Sequence, residues 1–266
     1  MALQDTPPLD IPYVLHQRDD GVVTLTLNRG DKFNPLSEEM LSALQAEIDK
    51  TAADSTVRVV ILAASGKAFC AGHDLKQMRA SPSAAYYKKL FDQCSKLMLS
   101  VQQMPQPVIA RVQGIATAAG CQLVSMCDLA VAAEEARFAV SGVNYGLFCS
   151  TPSVGLTRNV PRKQAMEMLL TGEFIDAQTA CERGLVNRVV SSDQLDQEIS
   201  TLVASILAKP AVAIAMGKQL FYRQLEMGIA AAYQLAGETM ACNMMDEAAL
   251  EGVQAFIEKR APAWKR

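Results

Sequence analysis

The chain has 266 residues, half of them apolar and 20% charged, with a formal net charge of −3. That length can bury a sizeable core, as one α/β unit or a unit with an appendage, and the lack of any basic run disfavours nucleic-acid or anionic-lipid binding. Seven scattered cysteines without CxxC pairs, and only His16 and His73, exclude a disulfide frame and a histidine-rich metal site and point to a reducing compartment.

The opening "MALQDTPPLDIPYVLHQRDDG" lacks a basic segment followed by an apolar one, so no signal peptide or Arg-rich transit sequence is expected. No run reaches the roughly 18 uninterrupted apolar residues of a membrane span. A soluble, cytoplasmic protein is the expectation. "PYVLHQR", the turn "DDG" and "VVTLTLN" alternate as a hairpin. Ser37 can cap a helix through about 53, with Met40, Leu41, Leu44 and Ile48 on one face. "VRVVILAA" (57–64) is an apolar run of strand length, expected to be covered on both sides.

A loop "SGKAFCAGHDLKQM" follows, then a helix over about 84–103, ended by Pro105 and Pro107. "VIARVQG" (108–114) is the next buried strand, and the unit recurs in shortened form through a helix, "DLAVAA" and "ARFAV". Strand, loop, helix and strand at this spacing predict an α/β fold of stacked turns. After "LVNRVV" (185–190) three helices are expected from Ser192 to Lys259, separated near Pro210 and Gly228. The division is a 1–191 α/β core and a 192–266 helical region. Such an Ala-, Met- and Leu-rich tail packs either on another chain or on its own core.

Two segments share a design. "FCAGHDL" (69–75) and "ATAAGCQ" (116–122) each follow a buried strand, contain small residues and open a helix. Small side chains let backbone approach a ligand, and a helix start presents unpaired N–H groups. Two facing turns would hold one developing negative oxygen between two donors, each worth on the order of 100-fold in rate. Taken singly, each loop is better explained by tight helix–strand packing.

Together, "LNRGDKFNPLS", "KAFCAGHDLKQM", "PVIARVQGIATAAGCQLVSMCDLAVAAEEARFAV", "MLLTGEFIDAQTACERGLVNRVV" and "FIEKRAPAW" resemble the successive blocks of the enoyl-CoA hydratase/isomerase (crotonase) superfamily, in order and over nearly the whole chain. Within it the sequence is most similar to the hydratase domain-containing members. The resemblance implies a crotonase-like spiral of ββα turns with a C-terminal helical trimerisation region, assembled as a homotrimer or a dimer of trimers. It implies an acyl-CoA thioester as ligand, with coenzyme A part of the substrate and no separate cofactor or metal. The thioester oxygen would sit between the backbone N–H groups of His73 and Ala119, which polarises the carbonyl and stabilises an enolate.

Family hydratases carry two glutamates that activate water and manage the α-proton. Here Gln122 matches the first and Gly142 the second, with no Asp or Glu from Gly114 to Cys127 or between Glu135 and Glu167. A positioned base is worth roughly 10²–10⁴-fold, and an amide cannot take a proton near neutral pH. The titratable substitute at the site is His73, with a ring turned to solvent as the blander reading. Cys149 and Ser150 lie on a loop where family members place catalytic groups, against the plainer reading of Cys149 as a buried thiol. Asn144 and Tyr145 share that loop, Tyr145 being read as packed by default. Asp74 and Asp128 read as structural, at a helix start and a helix-to-strand junction.

For the coenzyme, the resemblance implies contacts from Lys32, Asp74 and Leu75, and from Phe256 and Lys259 on a neighbouring subunit, the last two on one helical face. An enoyl-CoA hydratase-like enzyme is the expected function. The alternatives are an acyl-CoA binder without turnover and a thioester hydrolase using Cys149 or Ser150. RNA binding is disfavoured by the net charge.

Overall fold

In the computed structural model, which describes residues 11–80 and 82–264, the expected hairpin forms β1 (Val14–Asp19) and β2 (Val22–Leu27). The reading of residues 1–10 as free of a leader, and the last two residues of the helical region, lie outside the described residues. Asp20 (φ 34°) and Gly21 (φ 80°) make the turn. Positive φ at both positions matches the strands' twist, which is why Asp-Gly is favoured there. Helix α1 (Glu38–Ala53) starts where Ser37 Oγ accepts from Met40 N at 3.2 Å, and buries Met40, Leu41, Leu44 and Ile48 as expected.

A unit of two strands followed by one or two helices then repeats. Strands β3 (Val59–Ala64) and β4 (Ala68–Cys70) lead into α2 (Leu75–Ala80) and α3 (Ala84–Gln103). Next come β5 (Val108–Val112), β6 (Ile115–Thr117) and α4 (Ala119–Met126). The third unit is β7 (Leu129–Ala133), β8 (Arg137–Ala139), α5 (Ser150–Asn159) and α6 (Arg162–Thr171). The first strand of each pair joins a sheet ordered β1-β2-β3-β5-β7-β10, and the second joins one ordered β4-β6-β8-β9. These sheets are completed by β9 (Ile175–Asp176) and β10 (Arg188–Val190), with α7 (Ala177–Glu182) between. Pairing is parallel except for β1–β2 and β8–β9. Parallel neighbours need crossovers, which the helices supply, so the chain advances as an α/β spiral.

One sequence expectation shortens. The strand expected over 108–114 ends at Val112, because Gly114 must pass within reach of Lys67 O, where a Cβ would stand at 2.0 Å. Strand β10 begins only at Arg188, Leu185 and Val186 being held by N–H bonds to Ala180 O. Helices α5, α6 and α7 go beyond the elements expected from sequence.

The main core fills the space between the sheets and α1, α3 and α4, with Phe69, Phe138, Leu62 and Leu97 fully enclosed. The outer face of the large sheet is covered by α8 (Leu195–Leu207), whose Leu195, Ile199 and Val203 pack on Val59, Ile109 and Val131. Beyond Pro210 come α9 (Ala211–Leu225), α10 (Ile229–Met244) and α11 (Glu247–Ile257). Four helices therefore stand where three were expected. The additional break is at Met245–Asp246, where Asp246 Oδ1 caps Ala248 N at 2.9 Å without a Pro or Gly to announce it.

One polar knot ties α9 to the core. Lys218 Nζ donates to Asp128 Oδ2 at 2.7 Å and to the carbonyls of Val101 and Gln106 at 3.0 and 2.9 Å. Asp128 also accepts from Val108 N and Tyr222 Oη at 2.7 and 2.8 Å. Every donor of the ammonium and both carboxylate oxygens are satisfied, the condition under which a buried pair holds. The expected structural role of Asp128 is what its contacts show.

Candidate active site

Strands β4 and β6 are parallel neighbours, Ala68 opposite Ile115 and Cys70 opposite Ala116. Both strands therefore release their chains at the same edge, one into the 71–74 turn and α2, the other through Ala118 into α4. The two turns touch. A Cβ on Gly72 (φ +89°) would stand 2.9 Å from Ala118 Cβ and 3.3 Å from Ala119 N, and one on Gly120 would stand 2.1 Å from Cys70 O. Glycine at both places permits that approach.

Ala118 takes φ 51°, ψ −120°, a conformation natural to glycine. Such strain in an alanine costs on the order of 1–3 kcal/mol. It is anchored by Ala118 N donating to Ala139 O at 3.0 Å, and it turns the chain into the first residue of α4. Among the described residues, no acceptor takes the backbone N–H of His73 or of Ala119. The Ala119 methyl, where a larger group would be out of place, is buried in the core.

A third loop braces the first two. Residues 30–36 run beside the 71–73 turn, with Ala71 N donating to Phe33 O at 3.0 Å and Leu36 N to Gly72 O at 2.8 Å. Asn34 secures that loop: its Nδ2 donates to Ser65 O and Ala68 O, and its Oδ1 accepts from Arg29 N. Sequence reasoning missed this residue, whose signal was an Asn-Pro pair beside a strand. Lys32 ends a 3₁₀ turn (Gly30–Lys32) on the loop, and Leu75 is exposed at the start of α2. Asp74 Oδ1 caps α2, accepting from Lys76 N and Gln77 N at 2.9 and 3.1 Å.

The His73 ring is not turned to solvent. It packs edge-on to Phe91 with centroids 5.6 Å apart, and its Nδ1 lies 3.2 Å from Leu36 O. Burial pushes its pKa below the ordinary value, against the opposing pull of Leu36 O. The neutral ring then donates from Nδ1, which leaves Nε2 a buried acceptor without a partner. All of α4 is buried, and Gln122, 4% exposed, ends in an Oε1 that likewise has no partner.

Gly142 sits in a 3₁₀ turn (Ser141–Tyr145) joined to the site by the hydroxyls of Thr117 and Ser141, 2.9 Å apart. Its N–H donates to Cys149 Sγ at 3.2 Å and its carbonyl accepts from Leu147 N at 3.0 Å. A Cβ there would lie 2.4 Å from Leu147 O and 2.8 Å from Cys149 Sγ. A side chain at this position would therefore meet the loop's own backbone. Cys149 is a buried thiol whose pKa is raised by desolvation, and Ser150 Oγ donates to Phe148 O at 3.4 Å. Asn144 reaches Gly172 O, while Tyr145 is exposed and not packed.

Phe256 and Lys259 do not share a helical face. Helix α11 ends at Ile257, Lys259 takes φ 55°, and its N–H returns to Phe256 O while Arg260 N returns to Ala255 O. This paired closure is a Schellman turn, with lysine where glycine is usual. Phe256 is 84% exposed.

Residues 17–266 match the enoyl-CoA hydratase/isomerase family. The chain belongs to that family. A family relative, enoyl-CoA hydratase domain-containing protein 3, mitochondrial, from Xenopus laevis, is 44% identical over 95% of the chain and 86% of that protein. The 2,3-dehydroadipyl-CoA hydratase of Escherichia coli is 34% identical over 93% of the chain and 96% of that protein. A crystal structure of an enoyl-CoA hydratase from Mycobacterium smegmatis superposes with a TM-score of 0.95 at 65% identity, covering 96% of this chain and 99% of the other. The human domain-containing protein 3 gives 0.91 at 42% identity, covering 95% and 100%. The α/β spiral with its helical C-terminal part is thus the crotonase fold. Among the described residues no single helix is long and apolar enough to cross a membrane.

Proposed function

We propose that the protein acts on acyl-CoA thioesters as an enzyme of the hydratase/isomerase type, holding the thioester oxygen between the N–H groups of His73 and Ala119. The observation that carries this is the contact of the two turns, Gly72 against Ala118 and Ala119 N, with both amides free of other acceptors among the described residues. Donors fixed before the ligand arrives stabilise a developing enolate oxygen without reorganisation. Lys32, Asp74 and Leu75 would meet the coenzyme at the rim, with Phe256 and Lys259 supplied by a neighbouring copy in a homotrimer or a dimer of trimers. The exposed apolar side chains of α9–α11, among them Phe221, Ile229 and Tyr233, support such an assembly. A cytoplasmic location is part of the proposal, on the strength of seven unpaired cysteines.

Water addition by two glutamates is disfavoured, since Gln122 is an amide and Gly142 leaves no room for a side chain. These two observations favour a second reading, an acyl-CoA binder without turnover. The hydrolase reading is weakened, because Cys149 is held as a thiol and its sulfur accepts the Gly142 N–H. The deciding experiment incubates saturated and unsaturated acyl-CoAs with the protein in heavy water and reads the products by mass spectrometry. Added water or deuterium at carbon is the expected result for an enolate-forming enzyme. Bound but unchanged thioesters would establish the binder, and free CoA the hydrolase.

A further inference from the structure

We infer that Glu251 is a positioning residue: by clamping Arg260 and the Trp264 tail onto α11, it fixes the turn from which Lys259 reaches the nucleotide of a thioester bound to a neighbouring copy. The inference rests on the reading of the site as one for CoA thioesters. Its basis is a strap that closes the end of the chain back onto the helix. Glu251 Oε1 accepts from Arg260 Nη1 at 2.6 Å and from Ala263 N at 2.7 Å, and its Oε2 accepts from Arg260 Nη2 at 2.9 Å. Glu258 Oε2 accepts from Nε of the same guanidinium at 2.6 Å. Beyond it the Trp264 ring lies over Gly252, where a Cβ would stand 2.6 Å from the ring.

The turn inside the strap needs such a hold. Lys259 stands at φ 55°, a left-handed conformation that favours glycine. A residue with a side chain keeps such a conformation only where its surroundings enforce it, and these outliers gather at functional positions. Among the described residues no carboxylate pairs with the Lys259 ammonium, so the charge is open to a ligand. The backbone on either side is tied down: Lys259 N returns to Phe256 O at 3.2 Å and Arg260 N to Ala255 O at 3.0 Å.

A carboxylate that takes a guanidinium through both oxygens fixes orientation as well as distance. Arg260 and the Ala263 N–H hold the Glu251 carboxyl down to about 2, so the clamp stays charged through the neutral range. A cation held in place beforehand loses less freedom when it meets a phosphate. Releasing the strap therefore weakens the nucleotide contact and leaves the thioester end of the site alone.

Trp264 is the chain's one tryptophan, so its fluorescence reports the strap directly. The test titrates the full-length wild type, Glu251→Gln, Lys259→Gly and the double variant calorimetrically with butyryl-CoA and with butyryl-pantetheine, which lacks the nucleotide. Arg260→Gln replaces Glu251→Gln should that variant not fold. In Glu251→Gln the Trp264 emission is expected to move to the red. Butyryl-CoA should bind about three- to tenfold more weakly, with butyryl-pantetheine and the assembly mass unchanged. In the double variant the loss matches that of Lys259→Gly alone, because Glu251 acts through Lys259.

The inference is overturned if Glu251→Gln weakens both ligands alike or neither, or if its loss adds in full to that of Lys259→Gly. An unmoved emission overturns it too, since the strap then holds without Glu251, and a fall in mass assigns the strap to assembly instead. A wild type that binds both ligands equally removes the nucleotide contact itself, and if neither ligand binds, the CoA-thioester reading falls and this inference with it.

Discussion

A Cβ on Gly142 would meet the backbone oxygen of Leu147 at 2.4 Å, and backbone cannot swing aside as a flexible side chain can. Gly142→Ala is therefore expected to lower stability by about 1–3 kcal/mol, read as a fall in denaturant midpoint at unchanged slope. An unchanged midpoint would show that the loop yields, and that a side chain could be restored there. Gln122 gives the opposite expectation. Its amide has no protein partner, so Gln122→Leu should leave the free protein as stable or up to about 1 kcal/mol more stable. A clear loss of stability would reveal a hidden partner. His73 supplies a pH dependence. Its folded pKa lies below the ordinary 6.5 because burial opposes the charge. The unfolded chain then binds this proton first as pH falls, so the contribution is complete above 6.5 and is lost as pH drops below it toward the folded value. Denaturation midpoints between pH 7.5 and 5 should fall less steeply in His73→Asn than in the wild type.

At the scale of elements, the contrast is between segments whose signals are local and those whose signals are not. α1 was legible because Ser37 and an apolar face agree, and the hairpin because Asp20-Gly21 suits only one turn. The end of β5 was not, since it depends on Gly114 meeting Lys67, 47 residues away in the chain. The break before α11 rests on a single Asp246 cap, a weak signal in a run of helix formers. Lys218 and Asp128 lie 90 residues apart, and neither announces the other. Their knot is the hold of α9 on the core, so Lys218→Met should destabilise by about 3–5 kcal/mol by leaving Asp128 buried without its counter-charge. Tyr222→Phe removes one neutral donor and should cost only about 1 kcal/mol, the two being compared by chemical denaturation. A Lys218→Met loss no larger than that of Tyr222→Phe would mean that packing alone holds the helix.

For the whole molecule, Ala255 is the only apolar residue that helices α9–α11 bury. They leave Phe221, Leu225, Ile229, Tyr233, Met240 and Phe256 exposed, and large apolar patches on a protein surface mark interaction sites. Light scattering after gel filtration is expected to give three or six times the 28.7 kDa protomer mass. The double substitution Ile229→Glu and Tyr233→Glu should shift the protein toward monomer. A monomeric wild type would instead show that this face stays open in solution.

By itself the sequence determined most of the succession of strands and helices and the pair of small-residue turns, and it put Gln122 and Gly142 where the family resemblance leads one to expect two carboxylates. Each is written in consecutive residues: periodicity, caps, Gly and Ala runs, and the plain identity of Gln122 and Gly142. Only the tertiary structure decided that the two turns touch through Gly72 and Ala118, that the His73 ring is packed against Phe91, and that the Gly142 loop has closed on Cys149. Those facts depend on parallel strands that meet side by side although the chain between them is long. Local sequence carries the conformation of each turn, but contact between turns is set by the register of the sheet.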